Sequence, residues 1–285
     1  MTVSCYRMVT AEIRADRVAP AMSPQLPILT ARKDAVLTIT LNRPEARNAL
    51  SDSLMRALQL TLDEAAGDPP LKVIVLAAKG NVFCSGHDLK EMSARRNDPD
   101  NGLAYYRELF TQCSRLMLTI VRHPKPVIAQ VQGVATAAGC QLVASCDLAV
   151  ASREARFATP GVNIGLFCST PMVALSRNLA RKAAMEMLLT GEAVDAEGAL
   201  RLGLVNRVAA PEELEKETAA LAAFIAKKPA ATLRWGKQAF YHQLELGLTA
   251  AYDYVGEVMV QNMMHEEAVE GIGAFLEKRL PKWPE

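Results

Sequence analysis

Val127-Ile-Ala-Gln-Val-Gln-Gly-Val-Ala-Thr-Ala-Ala-Gly-Cys-Gln-Leu-Val-Ala-Ser-Cys-Asp-Leu-Ala-Val-Ala151 is the stretch on which the fold turns. Residues 127–131 form a short apolar run that reads as a buried strand. The alanine-rich segment after Thr136 reads as a helix, and residues 148–151 as the next buried strand. The same order stands upstream. Residues 36–41 alternate as a strand, Asn42-Arg-Pro is the exit turn, and Ser51 is a predicted N-cap. The helix that follows puts Leu54, Leu58 and Leu62 on one face and stops at Gly67, before another apolar strand over 73–77. Strand, helix, strand at this spacing predicts an α/β spiral or layered sheet alternating to about Val208.

Between these units, a long helix is expected to run to about Arg122, with Leu103, Tyr106, Phe110, Cys113, Met117 and Ile120 on its apolar stripe, until His-Pro-Lys-Pro breaks it. From Pro211 onward the pattern changes. Four helical stretches follow, near 211–227, 230–244, 248–264 and 267–279, with no strand period between them. The division expected is a tail over 1–27, a core over 28–208 and a helical region over 209–285. The apolar, Met-rich positions Leu248, Tyr252, Val255, Met259 and Met263 are read as core, in a region whose size also suits an oligomer interface.

The chain has 285 residues, half of them hydrophobic, which is enough for a large core. Its 32 basic and 31 acidic residues leave a net charge of +1, with no electrostatic footprint for nucleic acid or a membrane surface. No apolar run reaches the roughly 20 residues of a membrane-spanning helix. The six cysteines lack C-x-x-C spacing and suit reduced thiols in a cytoplasmic setting. His87, His123, His242 and His265 are too scattered to suggest a metal. Residues 1–27 read as a disordered tail; a transit segment leading to the mitochondrial matrix, or a start at Met22, are the other readings.

Two glycine-containing turns follow strands, one over residues 83–89 and one over 137–141. Small residues let a ligand oxygen approach the backbone, and a helix N-terminus favours an anion. Two N–H groups converging on one oxygen would make an oxyanion hole, in which one donor is worth about 2.7–4 kcal/mol of transition-state stabilisation. Two ordinary tight turns are the other reading, and spacing alone leaves both open.

Leu41-Asn-Arg-Pro-Glu-Ala-Arg-Asn-Ala-Leu50, Phe83-Cys-Ser-Gly-His-Asp-Leu-Lys-Glu-Met92, Lys125-Pro-Val-Ile-Ala-Gln-Val-Gln-Gly-Val134, Cys146-Asp-Leu and Phe157-Ala-Thr-Pro160 recur together, in this order. With the segment from Leu189 to Val205, they resemble the enoyl-CoA hydratase/isomerase (crotonase) superfamily over roughly residues 30–285. The resemblance implies a core of β-β-α spiral turns and a helical C-terminal region that makes a homotrimer, usually doubled into a hexamer. It also implies an acyl-CoA thioester as substrate, with coenzyme A as part of it, and neither a further cofactor nor a metal. Carried over, the N–H groups of His87 and Ala138 would hold the thioester oxygen. Arg47, Ala49, Ser85, His87, Asp88 and Leu89 would meet the CoA moiety, and Lys90, Lys278 and Arg279 are candidates for its phosphates.

At two positions the chain departs from that pattern. A hydratase of this family holds water between two glutamates, and the corresponding residues here are Gln141 and Gly161. Gln141 lies three residues beyond Ala138 on the same helical face. Its amide can hydrogen-bond but not exchange a proton near neutral pH, and Gly161 has no side chain. Each general acid or base typically contributes about 10²–10⁴-fold, so weak ordinary hydration is expected. Restoring both glutamates is expected to raise it if the scaffold is otherwise intact. Substitutes are offered by His87, Cys84, Cys168, Tyr105 and Glu108, and Asp88 and Asp147 are read as holding turns and helix starts. Three readings stand open: a hydratase-like lyase or isomerase, a decarboxylase that needs only enolate stabilisation, and a CoA-ester-binding protein without catalysis.

Overall fold

The computed structural model describes residues 26–283. The expected tail therefore lies outside the described residues, apart from Leu26 and Pro27. Those two are tied down, because the Asn42 backbone N–H donates to the Pro27 carbonyl at 2.8 Å and its side-chain amide to the Leu26 carbonyl at 2.9 Å.

The chain opens with β1 (Ile28–Lys33) and β2 (Val36–Leu41), an antiparallel pair, then α1 (Asp52–Ala66). Ser51 caps α1 as expected, its hydroxyl accepting the Leu54 N–H at 3.2 Å, and Gly67 ends it. Next come β3 (Val73–Ala78), β4 (Val82–Cys84), α2 (Leu89–Ala94) and α3 (Leu103–Arg122). They are followed by β5 (Val127–Val131), β6 (Val134–Thr136), α4 (Ala138–Ser145), β7 (Leu148–Ser152) and β8 (Arg156–Ala158). Then α5 (Ser169–Asn178), α6 (Arg181–Thr190), β9 (Val194–Asp195), α7 (Ala196–Leu202) and β10 (Arg207–Ala209) complete the alternating part. The helices α8 (Leu214–Ala226), α9 (Ala230–Gln243), α10 (Leu248–Met264) and α11 (Glu266–Leu276) close the chain, as read from the sequence.

The strands divide between a sheet ordered β1-β2-β3-β5-β7-β10 and a smaller one ordered β4-β6-β8-β9. Three times in succession the chain lays one strand in the large sheet, the next in the small sheet, and returns through helix: β3-β4, β5-β6 and β7-β8. This is the β-β-α spiral expected. Within each sheet these strands run parallel, which only a crossover connection permits.

Side chains of β3 alternate between two apolar layers. Ile74 and Leu76 belong to the main core with α1, α3 and α4, whereas Val73 and Val75 join Ile128 and Val150 under Leu214, Leu221 and Ala222 of α8. The middle of the large sheet, β3, β5 and β7, is thus covered on both faces, which is why these strands read as short apolar runs without alternation.

Two apolar assignments are corrected. On α3 the buried side chains are Leu109, Cys113, Leu116, Met117 and Ile120, while Leu103 and Phe110 are exposed. The expected stripe averages 3.5 residues per turn and drifts around a helix of 3.6, so its N-terminal members leave the core face. On α10, Leu248, Tyr252, Met259 and Met263 are exposed rather than core, and Val255 is half-buried, because α10 packs chiefly on α9 and α11 and not on the sheets.

Candidate functional site

The parallel pairing of β4 with β6 brings Cys84 level with Ala135, so the two turns that follow these strands emerge side by side. Glycines allow the contact. A Cβ on Gly139 would lie 2.1 Å from the Cys84 carbonyl oxygen, and one on Gly86 would lie 2.9 Å from the Ala137 Cβ and 3.3 Å from the Ala138 nitrogen. The Thr136 hydroxyl clips the two together by donating to the Ser85 carbonyl at 3.1 Å.

Leu50 sets the orientation of the first turn. Its N–H donates to the Gly86 carbonyl at 2.7 Å, and its carbonyl accepts the Asp88 N–H at 3.3 Å. In such a parallel bridge the middle residue, His87, directs its own N–H away from the partner strand. Behind Leu50, the fully buried Asn48 donates to the Lys79 and Val82 carbonyls at 2.8 and 2.7 Å and accepts the Arg43 N–H at 2.9 Å. Arg47 and Asn48 both sit in the left-handed region, at φ 53° and 51°. Asn48 is a scaffold residue the sequence reading missed; its signal was an asparagine inside Arg-Asn-Ala, a type that tolerates this conformation.

The second turn is strained. Ala137 has φ 50° and ψ −120°, a conformation unusual for a residue with a Cβ. It is held there by its N–H to the Ala158 carbonyl at 2.9 Å and by its own carbonyl, which accepts from Gln141 at 3.0 Å. The result is that α4 starts at Ala138 with its first N–H unused. Neither this N–H nor that of His87 donates to a backbone carbonyl among the described residues.

Gln141 stands one turn further along α4, buried, with its side-chain Oε1 unpaired. Gly161 is buried in a 3-10 turn over 160–164. The Leu166 N–H returns to its carbonyl at 2.9 Å. A Cβ at 161 would meet the Leu166 carbonyl oxygen at 2.5 Å and the Cys168 sulfur at 2.9 Å. The space a side chain would need is filled by backbone. Restoring a glutamate at this position therefore requires the loop to move, so the intact scaffold on which the expected gain depends is not available at Gly161.

Burial pushes the His87 imidazole down to about 4, although the Leu50 carbonyl and the Asp52 carboxylate favour its charged form. Neither of those groups reaches either ring nitrogen in hydrogen-bonding geometry, and both nitrogens are buried and unpaired. Phe110 packs against the ring edge to face, at 5.6 Å between centroids. Burial raises the Cys84 thiol to about 12 and raises Cys168 as well, so neither is a ready nucleophile. Burial, followed by Asp52, lifts the Tyr105 hydroxyl to about 12, and Glu108 is exposed.

Of the residues expected to meet CoA, Arg47 accepts the Ser85 N–H on its carbonyl at 3.1 Å, and the Ala49 carbonyl accepts from the Arg43 guanidinium at 2.8 Å. These contacts place Arg47, Ala49 and Ser85 in one loop cluster. Asp88 caps α2 through the Lys90 N–H at 3.2 Å and pairs with Arg43 at 3.2 Å, the turn-holding part read for it. Leu89 and Lys90 are exposed. Arg279 is clasped by Glu270 at 2.7 Å and by Glu277 at 2.5 Å, far from a free cation. Asp147 is also structural: it accepts from Val127 N–H, Lys237 and the Tyr241 hydroxyl at 2.7, 2.6 and 3.0 Å. A groove along α3 is lined by no residue of the two turns, meets them only through Phe110, which packs on His87, and ends at Pro124. Among the described residues no cluster of His, Cys, Asp or Glu could hold a metal ion, and no helix is long and apolar enough to cross a membrane.

Comparison with known proteins matches this geometry to a family. The profile of the enoyl-CoA hydratase/isomerase family matches residues 31–285. The mitochondrial enoyl-CoA hydratase domain-containing protein 3 of Xenopus laevis is 48% identical over 252 residues, which are 88% of this chain and 84% of that protein. A crystal structure of an enoyl-CoA hydratase from Mycobacterium smegmatis superposes with a TM-score of 0.87 at 53% identity, covering 91% of this chain and 99% of that one. The structure of human enoyl coenzyme A hydratase domain-containing protein 3 gives 0.86 at 47% identity, covering 90% and 100%.

Proposed function

The chain belongs to the enoyl-CoA hydratase/isomerase family, of crotonase fold, and from that premise we propose that it is a hydratase-type enzyme that binds an acyl-CoA thioester and polarises its carbonyl with the N–H groups of His87 and Ala138. One observation carries this reading: two unused N–H groups stand on turns that Gly86 and Gly139 press together. Ala137 keeps its unfavourable dihedrals to aim one of them, and the α4 N-terminus adds a positive dipole where enolate charge would develop. The loop cluster of Arg47, Ala49, Ser85, Asp88 and Leu89 is the surface we assign to CoA, with Lys90 at its exposed rim.

Ordinary hydration needs a group to deliver water and another to protonate the α carbon. Gln141 can hold a water or hydroxyl but cannot exchange its proton, and Leu166 closes the place of a side chain at Gly161. We therefore assign stabilisation of a thioester enolate to this site and only weak hydration. Loss of enoyl-thioester absorbance from crotonyl-CoA tests it. Saturable binding is expected with turnover at least about 10²-fold below an ordinary hydratase. Turnover at the ordinary level would overturn the roles given to Gln141 and Gly161.

The exposed apolar side chains of the last helices, such as Phe240, Leu248, Tyr252 and Phe275, support assembly through this region into a homotrimer or a hexamer. Light scattering of the purified protein tests that part. A monomer would contradict it.

A further inference from the structure

We infer that Arg43 is a positioning residue that acts on the thioester oxygen through two peptide units. Its guanidinium heads a hydrogen-bonded chain that runs through the Ala49–Leu50 and Gly86–His87 peptides and both aims and strengthens the His87 N–H at the far end. This rests on the acyl-CoA reading of the site and adds to it what drives one of the two donors.

Each link of the chain is a short hydrogen bond. One guanidinium nitrogen of Arg43 donates to the Ala49 carbonyl at 2.8 Å. That carbonyl shares its peptide unit with the Leu50 N–H, which donates to the Gly86 carbonyl at 2.7 Å. The Gly86 carbonyl shares its unit with the His87 N–H. None of the described peptide bonds is cis. In a trans unit the C=O and N–H point in opposite directions, so each carbonyl turned towards Arg43 leaves a donor turned away from it. The chain ends on the His87 N–H, which donates to no backbone carbonyl among the described residues.

Hydrogen bonds in such a series polarise one another, by about 10–30% per bond. A charged donor at the head strengthens the first link further. The guanidinium is a permanent cation, and the Arg43 side chain is only 22% exposed, so water screens its field weakly. The other donor of the site needs no such help, because Ala138 begins α4 and has the aligned peptide dipoles of that helix behind it. His87 lies in no helix. Arg43 supplies the positive end that α4 supplies to Ala138.

The guanidinium is held in place from two sides. Asn48 grips the Arg43 backbone, its Oδ1 accepting the Arg43 N–H at 2.9 Å and its own N–H donating to the Arg43 carbonyl at 2.8 Å. Asp88 pairs with the second guanidinium nitrogen at 3.2 Å, and its other oxygen accepts the Lys90 and Glu91 N–H groups at 3.2 and 3.4 Å. The carboxylate thus divides its charge with the start of α2 and leaves to Ala49 the nitrogen that faces it. An ion pair with Asp88 alone would account for stability and leave the His87 donor unaffected, which separates the two roles in experiment.

Difference infrared spectra of butyryl-CoA labelled with carbon-13 at its carbonyl test the proposal, recorded with the thioester bound to the wild-type protein and to Arg43→Gln, Arg43→Lys and Arg43→Met. At saturation the position of the carbonyl stretch reports the bound donors and not the affinity. Arg43→Gln, which keeps a donor and drops the charge, is expected to lose at least about a fifth of the wild-type downshift, and Arg43→Met more. Arg43→Lys, which keeps the charge, is expected to lose less than Arg43→Gln. A wild-type shift in Arg43→Gln, or a loss in Arg43→Lys as large as in Arg43→Gln, would overturn the proposal. These two variants decide it even if Arg43→Met fails to fold. Absence of any downshift in the wild-type protein would instead remove the polarised-carbonyl reading beneath it.

Discussion

The carbonyl oxygen of Leu166 lies 2.5 Å from where a Cβ on Gly161 would begin. A backbone oxygen in a turn closed by the Leu166 N–H to the Gly161 carbonyl cannot swing aside as a side chain would. Gly161→Glu is therefore expected to destabilise the protein by about 1–3 kcal/mol and to leave crotonyl-CoA hydration no faster. Gly161→Ala should show most of the same destabilisation, since the Cβ alone makes the clash. Thermal unfolding and the hydration assay together check both expectations.

Gln141 offers the contrasting case, because its side chain already occupies the site and lacks only ionisable chemistry. Gln141→Glu supplies a base on the face of α4 that begins at Ala138. Hydration of crotonyl-CoA is expected to rise by about tenfold or more, short of the full effect of a carboxylate pair. Burial should raise the new carboxyl above its usual range, so the gain should grow as pH increases through that raised value. A pH-rate profile of the variant measures it.

Lys237 links α9 to the core by donating to Asp147 at 2.6 Å and to the Ile120 and Lys125 carbonyls at 3.0 Å each. Both partners are largely buried, and removing one leaves an uncompensated charge. Lys237→Ala is expected to cost about 3–5 kcal/mol, and Lys237→Met with Asp147→Asn considerably less. Denaturant unfolding of the single and double variants compares the two.

Much of this architecture was legible in the chain. Strand β2 was legible by its alternation and β3, β5 and β7 by mostly apolar runs, which the packing of the large sheet on both faces explains, and Ser51 and Gly67 mark α1 by capping chemistry. The second strand of each spiral turn was not legible, since β4, β6 and β8 have three residues each, too few to display a period. The edge strand β1 was missed because most of its side chains are exposed on both faces and carry no alternation. At the site, the tiny residues around Gly86 and Ala138 announced two tight turns, and their spacing left open whether the donors on them are free. The closure of Leu166 over Gly161 could not be read, because it depends on where a loop returns and not on which residue begins it. The unpaired atoms of His87 were hidden for the same reason: the sequence names the side chain but not what Leu50, Asp52 and Phe110 leave it to bond with.

Carbonyl polarisation by His87 and Ala138 is the claim on which the rest depends, and isotope-edited difference infrared spectroscopy reads it directly. With a thioester labelled with carbon-13 at its carbonyl, bound to the wild-type protein, the account predicts that the carbonyl stretch moves to lower wavenumber than in free solution, as two preorganised N–H donors weaken the C=O bond. A bound thioester whose carbonyl absorbs where it does in water would contradict it.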